Sequence, residues 1–359
     1  MNQGTGRFAA ARRGHAGVMP GRCTNRAGRR VSRLAGRVVV KFVMALVGVV
    51  VCAAAQAQDA WPSRPIKLLV GFTPGGSNDA GARVFAQRLA AALGQPVVIE
   101  NRAGGGGLIA AVAVAAAAPD GYTLLWGSIP QVVLPAVFRQ DPNFDPLRDL
   151  TPVAATVKVD SVLAVPAVSG ITTMRQFAAR LQDRSQQSFY GTQGAGTPGH
   201  LMNAWVATKV RAADAVAVHY KGATNSEADF LTGKITFRFD TATTVRRLGN
   251  KVTCLATLTE RRIPEVPDCP TFAEVGMPLD IDWTLWNSIH GPARLPPAVV
   301  DRLATATARI LADPEFIQAS EKFGISPLPG YTPARTRALQ EQQIRDWGDL
   351  VRRLDITME

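Results

Sequence analysis

One arrangement, used twice, sets the architecture. Leu68-Leu69-Val70 is an apolar run that breaks at Gly71-Phe72-Thr73-Pro74-Gly75-Gly76-Ser77-Asn78-Asp79, after which Val84, Phe85, Leu89, Ala92 and Leu93 recur at helical spacing as far as Gly94. The run reads as a buried parallel strand and the periodic stretch as a helix stopped by glycine. The order returns at Phe189-Tyr190-Gly191, the loop Thr192-Gln193-Gly194-Ala195-Gly196-Thr197, and a helix opened by Pro198-Gly199-His200 and faced with Leu201, Met202, Trp205 and Val206. Between the two units, Pro96 to Glu100, the Ala-rich segment Leu108 to Ala118 and Tyr122 to Trp126 continue the alternation of strand and helix. That alternation predicts parallel sheets with helices on both faces.

Each loop has the chemistry of an anion seat. With Ser77 or Asn78 as N-cap, the Gly75-Gly76 turn leaves backbone N–H groups pointing out of a helix start, where the dipole also favours negative charge. Thr197 at N-cap with Pro198 at N1 is a strong helix start of the same kind. Two such termini facing each other across a cleft would grip both ends of a small anion. A tight βα turn that binds nothing is the alternative for either loop. A Walker A loop is excluded, because Ser77-Asn78-Asp79 stands where Lys-Ser/Thr is needed and Asp79 would repel a triphosphate. Gly105-x-Gly107-x-x-Ala110 matches a dinucleotide fingerprint only formally, since the next strand ends in Gly127-Ser128 with no acidic residue for a ribose.

Residues 1–57 carry ten basic side chains and no acidic one, followed by the apolar run Phe42 to Cys52 and Ala55-Gln56-Ala57. This reads as a secretory signal peptide cleaved after Ala57. Its long basic region fits either a start codon placed too early, with Met44 or a neighbour as the true start, or a Tat-type leader through Arg29-Arg30. The apolar run is short for a membrane span. Losing the ten basic groups takes the formal charge from +12 to about +2, so the basic balance carries no argument for nucleic acid. Cys254 and Cys269 stay in the exported chain. In an oxidising compartment they are either a disulfide, stabilising by roughly 3 kcal/mol in the chain-entropy model, or two separate buried thiols.

Further along, Val153 to Val157 and Val162 to Val165 read as strands, and Thr172 or Thr173 caps a helix bearing Met174, Phe177 and Leu181. Ala215 to Gly222, Ile235 to Phe239 and Lys251 to Leu258 are expected strands, Trp283 to Ile289 should cross back, and three helices close the chain. Trp205 and Trp347 fall at core spacing.

With the leader removed, the order of motifs resembles the substrate-binding proteins of tripartite tricarboxylate transporters, the Bug-type extracytoplasmic receptors. The resemblance is carried by Trp61-Pro62-Ser63-Arg64-Pro65-Ile66, Phe72-x-Pro74-Gly75-Gly76-x-x-Asp79, Leu93 to Arg102 and Ala118-Pro119-Asp120-Gly121-Tyr122. Gly196-Thr197-Pro198-x-His200, His219-Tyr220-Lys221-Gly222, Phe239-Asp240 and Pro267-Asp268-x-Pro270-Thr271 extend it. It implies a periplasmic-binding-protein-like Venus flytrap of two α/β domains joined by two crossover strands, with 58–162 plus 283–359 as one domain and 163–282 as the other. It further implies a periplasmic monomer without cofactor or metal that takes a small organic acid and hands it to a membrane permease. One ligand carboxylate would be held by Phe72, Thr73, Gly75, Gly76, Ser77 and Asp79. The opposing side would contribute Ser128 near the cleft rim, Thr192, Gly196, Thr197 and His200 at the second helix start, and Tyr220 and Asp240 from strand ends. Departures at Thr73, Ser77-Asn78 and Thr241-Ala242-Thr243 bear on which acid is bound.

An enzyme acting on a carboxylate is the rival class, and a receptor feeding a sensor kinase a second alternative. His200, His219 and His290 show no compact metal-ligand spacing, and Ser128 lacks a G-x-S-x-G elbow. Lys221 is either a partner for ligand charge or a solvated residue after a strand.

Overall fold

The computed structural model describes residues 61–357, apart from 76, 140, 213 and 221–225 and the side chain of Ser77. The expected leader, Gly76 and Lys221-Gly222 therefore lie outside the described residues. In chain order the strands are β1 (Ile66–Val70), β2 (Val97–Asn101), β3 (Thr123–Ser128), β4 (Leu150–Val159), β5 (Ser161–Pro166), β6 (Phe189–Thr192), β7 (Val216–His219), β8 (Arg238–Thr241), β9 (Val252–Thr257), β10 (Leu285–Pro292) and β11 (Ile325–Pro327). The helices of seven or more residues are α1 (Ser77–Leu93), α2 (Leu108–Ala115), α3 (Met174–Gln182), α4 (Pro198–Lys209), α5 (Ala242–Leu248), α6 (Pro297–Leu311), α7 (Pro314–Glu321) and α8 (Pro333–Leu354).

The first lobe is built on a six-stranded sheet of order β11-β4-β10-β3-β1-β2. Its β2-β1-β3 portion is parallel, with Val70 opposite Asn101 on one side and Trp126 on the other. Both neighbours of β10, β3 and β4, run antiparallel to it. The second lobe pairs β6 with β7 in parallel and sets β5 antiparallel between β8 and β9. A Tyr190 to Phe237 bridge, with Thr236 N–H donating to Phe189 O at 2.8 Å, joins those two pieces. β11 also runs antiparallel to β4, so the first lobe holds two reversed strands, β10 and β11, and the second lobe one, β5. Of these, β5 and β10 are the strands the chain enters on crossing over. β5 follows β4 after Asp160 alone, and β10 receives the chain back from the second lobe. This is the bilobed α/β architecture with crossover strands.

Apolar burial explains the helix positions. On α1, Phe85 packs 5.2 Å from Trp126 and 6.1 Å from Phe316, all three inaccessible to solvent. In the second lobe Phe177 meets Phe237 edge-on at 5.1 Å. Trp205 and Trp347, expected in the core, are fully buried. Between them sits Trp283, 5.5 Å from each, so that an aromatic row ties α4 to the second crossover and to α8. The row is pinned by polar contacts: Trp347 Nε1 donates to Asp282 O at 3.1 Å, Gln343 Nε2 to Thr284 O at 2.9 Å, and Trp286 Nε1 to Gln343 Oε1 at 2.7 Å.

Some local expectations change. α1 begins at Ser77, so Ser77 and Asn78 lie in its first turn rather than capping it. β8 begins at Arg238 and not at Ile235, because the residues before it reach β6 through a single bridge and not a continuous ladder. Ser128 ends β3, in the same sheet as β1, and therefore lies on the side of the first loop, not across from it. Cys254 and Cys269 are disulfide-bonded with Cα atoms 5.5 Å apart. Among the described residues no helix is long and apolar enough to cross a membrane.

His290 on β10 makes folding sensitive to acid. Its ring is completely buried, and Nδ1 contacts Ser288 Oγ at 3.0 Å. Burial, aided by nearby Arg337 and opposed by a weaker contribution from the Gln340 side chain, pushes its pKa down to about 3. The unfolded chain binds a proton near pH 6.5 and the native chain does not, so this stability is complete above pH 6.5 and is lost as pH falls towards 3. Urea unfolding at pH 7, 5.5 and 4.5 should show a decline of about 1 kcal/mol per pH unit from this residue. His290→Leu should flatten the profile; an unchanged slope would assign the decline elsewhere.

Candidate functional site

The first loop is held from beneath by charge. Asp79, in the first turn of α1, is 2% exposed and accepts from Gly75 N–H at 3.0 Å, Arg83 Nε at 2.8 Å and Asn101 Nδ2 at 2.8 Å. Asn101 Nδ2 also donates to Phe72 O at 2.9 Å, and Asn101 Oδ1 accepts from Arg83 at 3.3 Å. Burial alone would raise the Asp79 pKa; the Arg83, Gly75 and Asn101 hydrogen bonds and the Arg83 charge override it and hold the carboxyl at about 2. Asp79 is therefore an anion whose oxygens face the loop's own backbone and scaffold. The amides of the first helical turn have no acceptor within the helix.

Two glycines make this packing possible. Gly75 has φ +88°, a left-handed conformation that costs glycine little. At Gly71 a Cβ would fall 2.7 Å from Gly107 Cα, backbone against backbone, and closer still to the amide of Gln131. The glycine-rich segment after β2 thus lets that chain press against the base of the first loop. Gln131 is fully buried, and its Oε1 accepts from the Ser128 amide at 2.8 Å and from the Ser128 hydroxyl. Phe72 is half-buried, while Thr73 and Gly75 are exposed.

The second loop closes on itself through side chains. Thr197 Oγ1 donates to Gly194 O at 2.7 Å and accepts from His200 N–H at 3.4 Å, capping α4. Gly196 N–H donates to His200 Nδ1 at 3.0 Å. Thr192 Oγ1 accepts from Gly194 N–H at 3.1 Å and lies 2.5 Å from His219 Nδ1. The His200 ring meets His219 edge-on at 5.1 Å and lies 6.1 Å from Tyr190. Burial, and secondarily His219, lowers the His200 pKa to about 4, so the ring is neutral at pH 7. Because Nδ1 accepts from Gly196, the proton sits on Nε2.

Thr192, Gly196, Thr197 and His200 are thus brought together, as are Phe72, Gly75 and Asp79. Tyr220 also lies at the second loop, its N–H donating to Thr192 O at 2.9 Å, but its hydroxyl and the Asp240 carboxylate are engaged within the second lobe. Tyr220 donates its hydroxyl to Asp229 at 3.0 Å. Asp240 accepts from Arg238 at 2.5 Å and from Thr241 N–H at 2.9 Å, in a pair buried at both ends. Asn101, Arg83, Gln131 and His219 escaped the sequence reading as site residues. Asn101 and His219 carried a signal, since each is a polar residue ending a short β-branched strand beside a loop.

Gly81 of α1 faces Ile325, and a methyl group on the preceding Gly324 would overlap Thr243 of α5. Elsewhere, a concavity of about 800 Å3 is walled by the crossovers themselves, among them Asp160, Ser161, Trp283 and Thr284, and contains no expected site residue.

Residues 81–356 match a family model described as tripartite tricarboxylate transporter family receptor. A protein from Pseudomonas sp. strain P51, described as the UPF0065 protein in the tcbD-tcbE intergenic region, is 32% identical over 300 residues, covering 83% of this chain and 88% of that protein. BugT of Bordetella pertussis is 31% identical over 319 residues, covering 86% and 96%. Among solved structures, R. palustris Rpa4515 with adipate superposes with a TM-score of 0.74 at 29% identity, covering 83% of this chain and all of that one.

Proposed function

The chain belongs to the tripartite tricarboxylate transporter receptor family, whose members are non-catalytic extracytoplasmic solute-binding proteins, and from that premise we propose that it captures a small organic carboxylate between its lobes. It does so as a monomer in the periplasm and delivers the acid to the membrane permease of a tripartite tricarboxylate-type transporter. We take the lobes as 58–162 with 283–359 and 163–282, closing about the crossovers. Closure follows if the acid makes contacts with both lobes, because contacts shared between them favour the closed state.

The observation that carries the reading is the state of Asp79. A carboxylate at a helix start would repel an anion. Here Arg83, Asn101 and the Gly75 amide take up its charge, so the first-turn amides and the helix dipole act on the ligand. The R. palustris protein with adipate is consistent with a carboxylic acid as cargo. Thermal-shift screening against aliphatic mono- and diacids, amino acids, nicotinate and aromatic acids tests it. A stabilising shift is expected for one class; turnover of an acid in place of a shift would favour an enzyme.

Thr197→Ala separates capping from binding. The lost cap should cost about 1 kcal/mol of stability, while affinity for the stabilising acid should fall several-fold, measured by calorimetry. Unchanged affinity would reduce the second loop to an ordinary helix cap.

A further inference from the structure

Away from both loops, the concavity of about 800 Å3 walled by the crossovers has the size of a small-molecule pocket and a charge balance unsuited to an acid. We propose that it is a second binding site, standing independently of the receptor reading above, for a small organic cation that also carries a hydroxyl or carbonyl oxygen.

The charge balance follows from what is already engaged. Lys158 pairs with Asp160 at 2.6 Å, Asp280 with Lys209 at 2.8 Å, and Arg262 with Glu274 at 3.0 Å. Glu260, Asp282 and Asp346 wall the same cavity and form no ion pair among the described residues, and Arg261 is the one cation there in that position. Asp282 accepts from Thr284 N–H at 2.8 Å and Asp346 from Gln342 at 2.7 Å, both uncharged donors. These three carboxylates come from the loop after β9, the second crossover and α8, so they converge from separate segments and are not one solvated helix face. A carboxylate entering here would meet excess negative charge, whereas an ammonium group would be attracted. Among the described residues no group of three or more His, Cys, Asp or Glu could hold a metal ion, which leaves an organic cation as the fit.

The wall adds an unspent donor. Trp283 lines the cavity at 2% exposure, and its indole N–H has no partner among the described residues. The tryptophans on either side of it spend theirs on other residues of the same wall: Trp205 Nε1 donates to Asp280 at 2.9 Å and Trp347 Nε1 to Asp282 O at 3.1 Å. A buried donor without an acceptor is costly, so an oxygen brought within its reach is favoured. Val159, Leu258, Ile263 and Ile281 supply apolar lining for a short methylene body between the two polar ends.

The test separates charge from oxygen. Calorimetric titration of the full chain compares aminobutanol, butylamine and butanediol, each with its polar groups at the chain ends. Aminobutanol should bind, butylamine should bind about threefold or more weakly, and butanediol, which has the oxygens and no charge, should give no binding heat. Asp282→Asn and Asp346→Asn, each able to keep its present hydrogen bond through Oδ1, should each weaken aminobutanol by about twofold to fivefold. Trp283→Phe should bring aminobutanol down to the affinity of butylamine. Absence of binding by both amines, binding of butanediol as tight as that of aminobutanol, or unchanged affinity in both asparagine variants overturns the proposal. So does a preference for aminobutanol that survives Trp283→Phe. Organic acids titrated into the same protein keep the two readings apart: acid binding without amine binding overturns this site alone, and amine binding without acid binding overturns the receptor reading alone.

Discussion

Trp283→Ala is expected to destabilise the chain by about 3–5 kcal/mol, the range for emptying a large aromatic site in a packed core. Trp283 is 2% exposed and lies 5.5 Å from both Trp205 and Trp347. Truncation would open a cavity between α4, the second crossover and α8, in a place where neither helix can collapse inward without breaking other bonds. Trp347 is tied to Asp282 and Trp205 Nε1 to Asp280 at 2.9 Å, so both neighbours are anchored to the segment that would have to move. The Trp283 indole N–H is buried without a partner among the described residues, so Trp283→Phe forfeits volume but no hydrogen bond there and should cost markedly less. Val168→Ala, at a side chain 71% exposed, is the control and should stay within about 0.5 kcal/mol. Urea unfolding measures all three; a loss under 1 kcal/mol for Trp283→Ala would mean that the row is looser than its spacing implies. The consequence reaches function because the row sits at a crossover. Packing at a pivot can persist while loops at the cleft rim swing, so Trp283→Phe should alter affinity less than any change to the loops themselves.

What the residues made legible were local units. Apolar runs ending in glycine, followed by 3.6-residue periodicity, located β1 with α1 and β6 with α4 closely, because strand, turn and helix start are each encoded within a few positions. The pairing of distant elements was not encoded that way. Asp160 separates two strands that look alike in sequence, yet β4 joins the first sheet and β5 the second, a choice made by partners near residues 240, 256 and 289. Ser128 was put across the cleft for the same reason: its position follows from the register of β3 against β1, which no short motif states. Asn101 and Arg83 support Asp79 only because parallel pairing sets Val70 opposite Asn101 while α1 brings Arg83 back one turn. Asp240 read as a free strand-end carboxylate, and the arginine that occupies it stands only two residues away, on the same face of β8.

Asp79→Asn should lower affinity for the stabilising acid by at least about tenfold and cost about 2 kcal/mol of stability. The substitution is isosteric but not conservative here. All three groups facing the side chain, the Gly75 amide, Arg83 and the Asn101 amide, are donors. A carboxylate satisfies three donors at once, whereas the amide nitrogen of asparagine would point a fourth donor at them and drive Asn101 from Phe72 O. The loop would then lose its attachment to β2, and its amides their aim. Arg83→Ala is the comparison. Arg83 is half exposed, and Asp79 keeps two partners without it, so stability should fall by no more than about 1 kcal/mol. Affinity should fall less than in Asp79→Asn, because the contact between Asn101 and Phe72 survives. Acid provides an independent check. The Asp79 carboxyl, at about 2 in the folded chain against 3.8 otherwise, contributes stability above pH 4 that is lost as pH falls towards 2. Wild-type affinity should therefore hold through pH 5, where Asp79→Asn is already impaired at pH 7. Should Asp79→Asn bind the acid as tightly as the wild type, the loop would owe its shape to Gly71 and Gly107 alone, and the role given to the buried carboxylate would be wrong.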